Sequence, residues 1–229
     1  MTPAEDESQA GDASIPTVTA TSLLDAIQAR ILGALIEKEA TTPEAYPLTA
    51  NAVVLACNQK NNREPVMELE PGDVGHALRE LESEGFLRSV HGARAQRYEH
   101  RFAQKVSVTV KQQSALSVMM LRGPQTVAEL LSRCERLSPF ADLEEVRSVL
   151  DRLMQRSPAL AIKLGRAPGQ REDRYMHLLC GKVDESDFGQ APRSAPSAER
   201  SGLEARVEQL EAQLGQLRDE LDAIREKLR

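Results

Sequence analysis

The 229-residue chain contains no tryptophan, and aromatic residues together make up only 3% of it. Its interior must therefore be assembled from Leu, Val, Ile, Ala and Met, as helical packing allows. Cysteine is scarce as well: Cys57, Cys134 and Cys180 lie far apart among apolar neighbours. That spacing argues against a disulfide framework or a CxxC metal knuckle and reads as buried, reduced thiols that pack as small hydrophobes. No apolar run approaches the roughly 20 residues of a membrane-spanning helix. The N-terminus, MTPAEDESQAGDASIPTVTA, has no basic start and no apolar stretch, so it reads as neither a signal peptide nor a transit peptide. A cytoplasmic protein with no membrane partner is expected.

Catalytic signatures are missing too. There is no glycine-rich phosphate loop, no GxSxG and no HExxH. The four histidines, His76, His91, His100 and His177, lack metal-ligand spacing. These absences predict a non-enzymatic protein with no cofactor and no metal.

Present instead is a repeat. Thr49, Cys57, Val74, Leu78, Leu81 and Tyr98 are echoed by Thr126, Cys134, Val146, Leu150, Leu153 and Tyr175. Thr to Cys is 8 residues in both copies, the apolar trio is spaced 4 then 3 in both, and the connection before that trio is 5 residues longer in the first copy. In the first copy, Ser22 and Asp25 resemble a capping box ahead of Leu24, Ile27, Ile31, Leu32 and Leu35 at helical spacing. A second helix starts at Thr49 and stops at Asn58, and a third opens at Pro71 and closes at Gly85. FLRSV and QRYEHRF then read as a hairpin around Gly92. The second copy runs Gln112 to Leu121, a helix boxed by Thr126 and Glu129, a helix capped by Asp142 with Glu145, and a hairpin of ALAIKLG with DRYMHLL.

Three helices plus a hairpin, twice, predicts a mainly α fold with small β-hairpins (α+β): two tandem winged-helix domains, each burying its own small core, over 22–108 and 109–183. Residues 1–21 form an acidic extension and 184–200 a Ser/Pro-rich linker. Over 201–229, Leu203, Val207, Leu210, Leu214, Leu217, Leu221, Ile224 and Leu228 alternate steps of 4 and 3, the heptad pattern of a coiled-coil helix. A parallel register gives no repulsive g-to-e pair, which predicts self-association as a homodimer.

Charge is unevenly placed. The net charge is -6, yet residues 111–183 carry 12 basic and 8 acidic side chains. Local sign decides whether a surface meets phosphates. The third helix of the first copy, with Asp73, Glu80, Glu82 and Glu84, suits a DNA groove poorly. In the second copy Arg147 and Arg152 lie on the corresponding helix. The hairpins carry Arg94 and Arg97 in one copy and Lys163, Arg166, Arg171 and Arg174 in the other. Lys60, Asn61, Asn62 and Arg63 form the densest amide and basic run, with side chains of the kind that read adenine, guanine or phosphate; Asn is equally a common turn former.

The stretch ATTPEAYPLTANAVVLACNQKNNREPVMEL and the later GRAPGQREDRYMHLLCG resemble the bacterial YceH-like family of tandem winged-helix proteins. The resemblance runs from about Ala26 to Val183 and implies the fold, with no activity or ligand to carry over. Glu70 and Pro71 depart from it where similar sequences tend to have a Ser cap.

Two functional classes follow. The first is a DNA-binding protein, a transcriptional regulator or nucleoid-associated factor, with duplex DNA and a second copy of itself as partners. The second is a protein-interaction scaffold built from tandem winged helices, favoured by the acidic third helix.

Overall fold

The computed structural model describes residues 23–91, 95–165 and 172–183. Among these are seven α-helices, a three-stranded sheet and a two-stranded one. The heptad positions Leu203, Val207, Leu210, Leu214, Leu217, Leu221, Ile224 and Leu228 lie outside the described residues, as do Arg94, Arg166 and Arg171.

The first copy begins with α1 (Ala26–Thr41). Its N-cap is Asp25, whose side chain accepts from Gln28 N at 2.7 Å while Gln28 Oε1 accepts from Asp25 N at 2.9 Å. The capping box therefore sits three residues later than the one expected at Ser22. A 3₁₀ turn (Pro43–Ala45) and β1 (Leu48–Thr49) lead to α2 (Ala50–Cys57), capped by Thr49 at one end and Asn58 at the other. After a long loop come α3 (Pro71–Ser83), β2 (Leu87–His91) and β3 (Gln96–His100). The strands order as β1-β3-β2, all antiparallel. The expected strand does not continue through Phe102: that side chain is buried, and a short helix α4 (Phe102–Val106) forms there instead.

The second copy comprises α5 (Val110–Arg122), α6 (Val127–Arg133), α7 (Leu143–Met154) and the hairpin of β4 (Ala161–Leu164) with β5 (Arg174–His177). Gln125 bridges to Tyr175, which gives this hairpin the same short third contact that β1 supplies in the first copy. Thr126 and Glu129 form the expected capping box, and the Asp142 side chain accepts from Glu145 N.

Equivalent repeat positions are equivalent in space. Val74, Leu78, Leu81, Val146, Leu150, Leu153, Cys57 and Cys134 are all fully buried, and Tyr98 and Tyr175 are both 9% exposed. The copies do not, however, keep separate cores. One continuous apolar cluster runs through both, because α1 packs along α5. Residues 28–36 of α1 and 112–121 of α5 are buried on every face, where a single stripe was expected. Gly33 permits the approach: a Cβ there would lie 2.9 Å from Leu121 Cγ. Ser117 Oγ donates to Gly33 O at 3.1 Å, so the buried hydroxyl is satisfied across the joint. The ends of the described chain also meet, with Leu23 N and Leu24 N both donating to Leu179 O.

Candidate nucleic-acid interface

Helix α2 ends inside the protein, where its last carbonyls have no water to accept from. Two arginines take that role. Arg63 donates from Nε and Nη2 to Ala56 O at 3.0 and 2.9 Å, and Arg30 donates to Cys57 O at 3.4 Å. Cations at a helix C-terminus also suit the negative end of its dipole. Arg63 is further locked by a bidentate pair with Glu37, at 3.0 and 2.9 Å, and by bonds to Gln59 Oε1 and Asn62 O. Its side chain is 0% exposed. Arg63, a sequence candidate for DNA contact, is thus corrected to a structural clamp: every donor it has is spent inside the protein. Burial opposes the Glu37 carboxylate, but the Arg63 guanidinium outweighs it and holds that carboxyl below the usual range.

The clamp organises the loop between α2 and α3. The Asn58 side chain brackets Leu69, donating to its O at 2.9 Å and accepting from its N at 2.8 Å, while Arg30 reaches Pro65 O at 2.7 Å. Asn62 adopts a left-handed backbone (φ 63°), which Asn tolerates well. Around this interior the side chains of Lys60, Asn61 and Asn62 are exposed. A fixed loop with a polar, solvent-facing tip is a common way to present binding residues.

The same loop docks on the second copy, through Glu64 N to Leu121 O at 2.8 Å. A run of charges follows from there. Arg122 ends α5, half-buried, and lies within electrostatic reach of Arg133, Glu37, Arg63 and Glu129. Glu129 pairs with Arg133 at 3.3 Å and with Arg174 at 3.1 Å; Arg133 also bonds Gln125 Oε1. Lys38 sits 3.4 Å from Glu37. At this junction Lys38, Arg63, Arg122, Arg133 and Arg174 face two carboxylates, Glu37 and Glu129.

The other sequence candidates divide. Arg152 is exposed on α7, and Arg147 is exposed beside its own-helix partner Glu144. Arg97 donates to Pro47 O at 2.7 Å. Lys163 pairs with Asp173 at 2.8 Å, and Arg174 donates to Pro124 O at 2.8 Å as well as to Glu129. The structure brings the loop tip and Arg174 toward one junction and leaves Arg147 and Arg152 on a separate helix face. Arg122 and Arg133 were not singled out from the sequence. Their only local signal was a basic residue in the last turn of a helix; what makes them neighbours of Glu37 and Arg63 is the packing of α5 on α1.

Comparison with known proteins places the chain in a family. Residues 24–170 match the family described as "Protein of unknown function, DUF480". The chain is 54% identical over 185 residues to a UPF0502 protein of Xanthomonas campestris, covering 80% of this chain and 82% of that one. It is 57% identical over 162 residues to a UPF0502 protein of Stenotrophomonas maltophilia, covering 71% and 74%. Over 182 residues it is 50% identical to one from Mesorhizobium japonicum, covering 80% and 87%. The matched region takes in the loop clamp, Arg122, Arg133 and most of the second copy, and on this likeness the chain belongs to the DUF480 (UPF0502) family of bacterial proteins.

Proposed function

We propose that this protein is a non-enzymatic binder of double-stranded DNA in the bacterial cytoplasm, built from two tandem winged helices and paired with a second copy through its C-terminal heptads. The observation that carries the reading is the exposed Lys60–Asn61–Asn62 tip, held by a buried arginine clamp beside a junction where cations outnumber carboxylates. Amide side chains suit base edges and cations suit the phosphate backbone. Arg152 and the hairpin residues Arg166 and Arg171 extend the basic character of the second copy. Pairing two chains would add avidity without new contacts.

Fluorescence anisotropy of the full-length protein against random-sequence duplex DNA across a salt series tests this. Binding should weaken with salt at a log–log slope of about -0.9 per phosphate neutralised. Lys60→Ala with Arg152→Ala should flatten that slope by about 2 if both side chains sit on phosphates. Absence of binding at low salt would overturn the reading.

A second reading, protein-interaction scaffold, is favoured by two surfaces. The exposed side of α3 carries Asp73, with Glu84 at its C-cap, both of which repel phosphate, and an open groove of about 620 Å³ between α6 and α7 is lined by Leu131, Pro139, Phe140 and Leu143. Partner association that survives the Lys60 and Arg152 substitutions, with no DNA binding by the wild type, would favour it.

A further inference from the structure

Arg122 is a half-buried cation of the junction, with Glu37 and Glu129 within electrostatic reach but neither in direct contact. Among the described residues its guanidinium makes no hydrogen bond or ion pair, whereas Arg63 is fully engaged with Glu37, and Arg133 and Arg174 share Glu129. Burial disfavours its charge and the neighbouring Arg133 guanidinium disfavours it further, an effect that Glu37 and Glu129 offset only in part. Arginine keeps its proton in such a setting, and Gln125 ties this end of α5 to α6, donating to Arg122 O at 3.0 Å while its Oε1 accepts from Arg133. The nearby carboxylates are already committed: Glu37 to Arg63 and Lys38, Glu129 to Arg133 and Arg174. A planar fork of unused donors in a positive field is the arrangement that receives a phosphate group bidentately.

We propose that the junction between the two sequence copies is a phosphate seat in which Arg122 supplies the direct contact, Arg133 flanks it, and Arg63 contributes field without contact. The ligand class is a phosphate group, either a DNA backbone diester or a free phosphate. In its first form the inference rests on the DNA-binding reading; in its second it stands without it. Because Glu64 N docks the α2–α3 loop on Leu121 O, one residue before Arg122, a seated phosphate would lie at the base of the loop whose tip carries Lys60 and Asn61.

The test uses the full chain and Arg122→Gln, with Arg122→Lys to restore charge without the fork and Arg79→Gln on α3 as a remote variant of equal charge change. Circular dichroism confirms that each variant folds, and thermal unfolding is followed in potassium phosphate and in potassium chloride at matched ionic strength. Phosphate strengthens burial in any protein, so the reading is the phosphate-minus-chloride shift relative to wild type. Duplex DNA affinity is measured on the same proteins. A phosphate-specific rise of the unfolding midpoint in wild type and Arg79→Gln, lost in Arg122→Gln and only partly regained in Arg122→Lys, supports a free-phosphate seat, whether or not DNA binds. A DNA affinity at least about tenfold weaker in Arg122→Gln than in Arg79→Gln, with no free-phosphate shift, supports a backbone seat. DNA binding unaffected by Arg122→Gln, together with no phosphate-specific shift, overturns the seat and leaves the DNA reading standing. Neither DNA binding nor a phosphate shift in wild type overturns both.

Discussion

Removing one guanidinium, by Arg63→Ala, would uncap the last carbonyls of α2 and leave the Glu37 carboxylate in a largely buried position without its bidentate partner. Stability should fall by about 3 kcal/mol or more, read as a lower urea midpoint; a loss under about 1 kcal/mol would mean that water replaces the clamp. From the sequence Arg63 looks like its neighbours Lys60, Asn61 and Asn62, since composition cannot tell an arginine that faces a helix end from one that faces solvent. His177 makes a second residue-scale prediction. Burial pushes its imidazole down to about 4, against about 6.5 in an unfolded chain. Below that unfolded value the denatured state binds a proton that the native state refuses. Stability should therefore fall as the pH drops from about 6.5 towards 4, by up to about 3 kcal/mol. Carboxylates held low by their partners, such as Glu37 and Glu39, add their own loss as the pH falls below the ordinary carboxylate range. The informative quantity is thus the difference between wild type and His177→Gln: the variant should lack the part of the decline that lies above pH 5. Parallel stability curves for the two proteins would show that the ring finds another way to protonate.

At the scale of elements, periodicity and caps located the main helices of both copies, because each cap is a bond between residues three apart. Thr49, Thr126 and Asp142 all act where their spacing from a following amide predicts. The misses came where tertiary burial overrode local pattern. Phe102 follows a strand, yet its ring enters the core beside Phe86, with ring centroids 6.4 Å apart, and the chain turns into α4 to let it. Gly33 shows the same coupling between helices. Alanine normally stabilises a helix interior over glycine by up to about 1 kcal/mol. Here its Cβ would meet Leu121 Cγ at 2.9 Å, and overpacking of this kind costs about 1–3 kcal/mol. Gly33→Ala should therefore destabilise the protein despite its better propensity; a raised thermal midpoint would mean that α1 and α5 separate at little cost.

For the molecule as a whole, the shared core has a thermodynamic consequence. Excising residues 109–183 would expose the α1-facing side of α5, including Leu121 and Met120, and in residues 22–108 α1 would lose the cover that α5 gives it. The full chain should unfold over 23–183 in one cooperative transition, with calorimetric and van't Hoff enthalpies in agreement, and neither half should fold alone. Two resolved transitions would show that the joint is weaker than its burial implies. The basic junction belongs to this scale as well. Lys38 and Glu37 come from α1, Arg63 from the loop after α2, Arg122 from the end of α5, Arg133 and Glu129 from α6, and Arg174 from β5.

By itself the sequence determined the repeat, the order of helices and hairpins, the caps and the buried apolar positions, because these depend on spacings of two to four residues that any local segment carries with it. It also marked Lys60, Asn61 and Asn62 as a distinctive polar run. The tertiary structure alone decided that the two copies share one core, that Arg63 is spent holding α2 and Glu37, and that Arg122 has no direct partner among the described residues at the junction. The Arg63–Glu37 pair joins residues 26 positions apart and the Ser117–Gly33 bond residues 84 apart. Such pairings follow from which face of α1 meets which face of α5, and that choice is made by the fit of Gly33 to Leu121 and by the burial it permits.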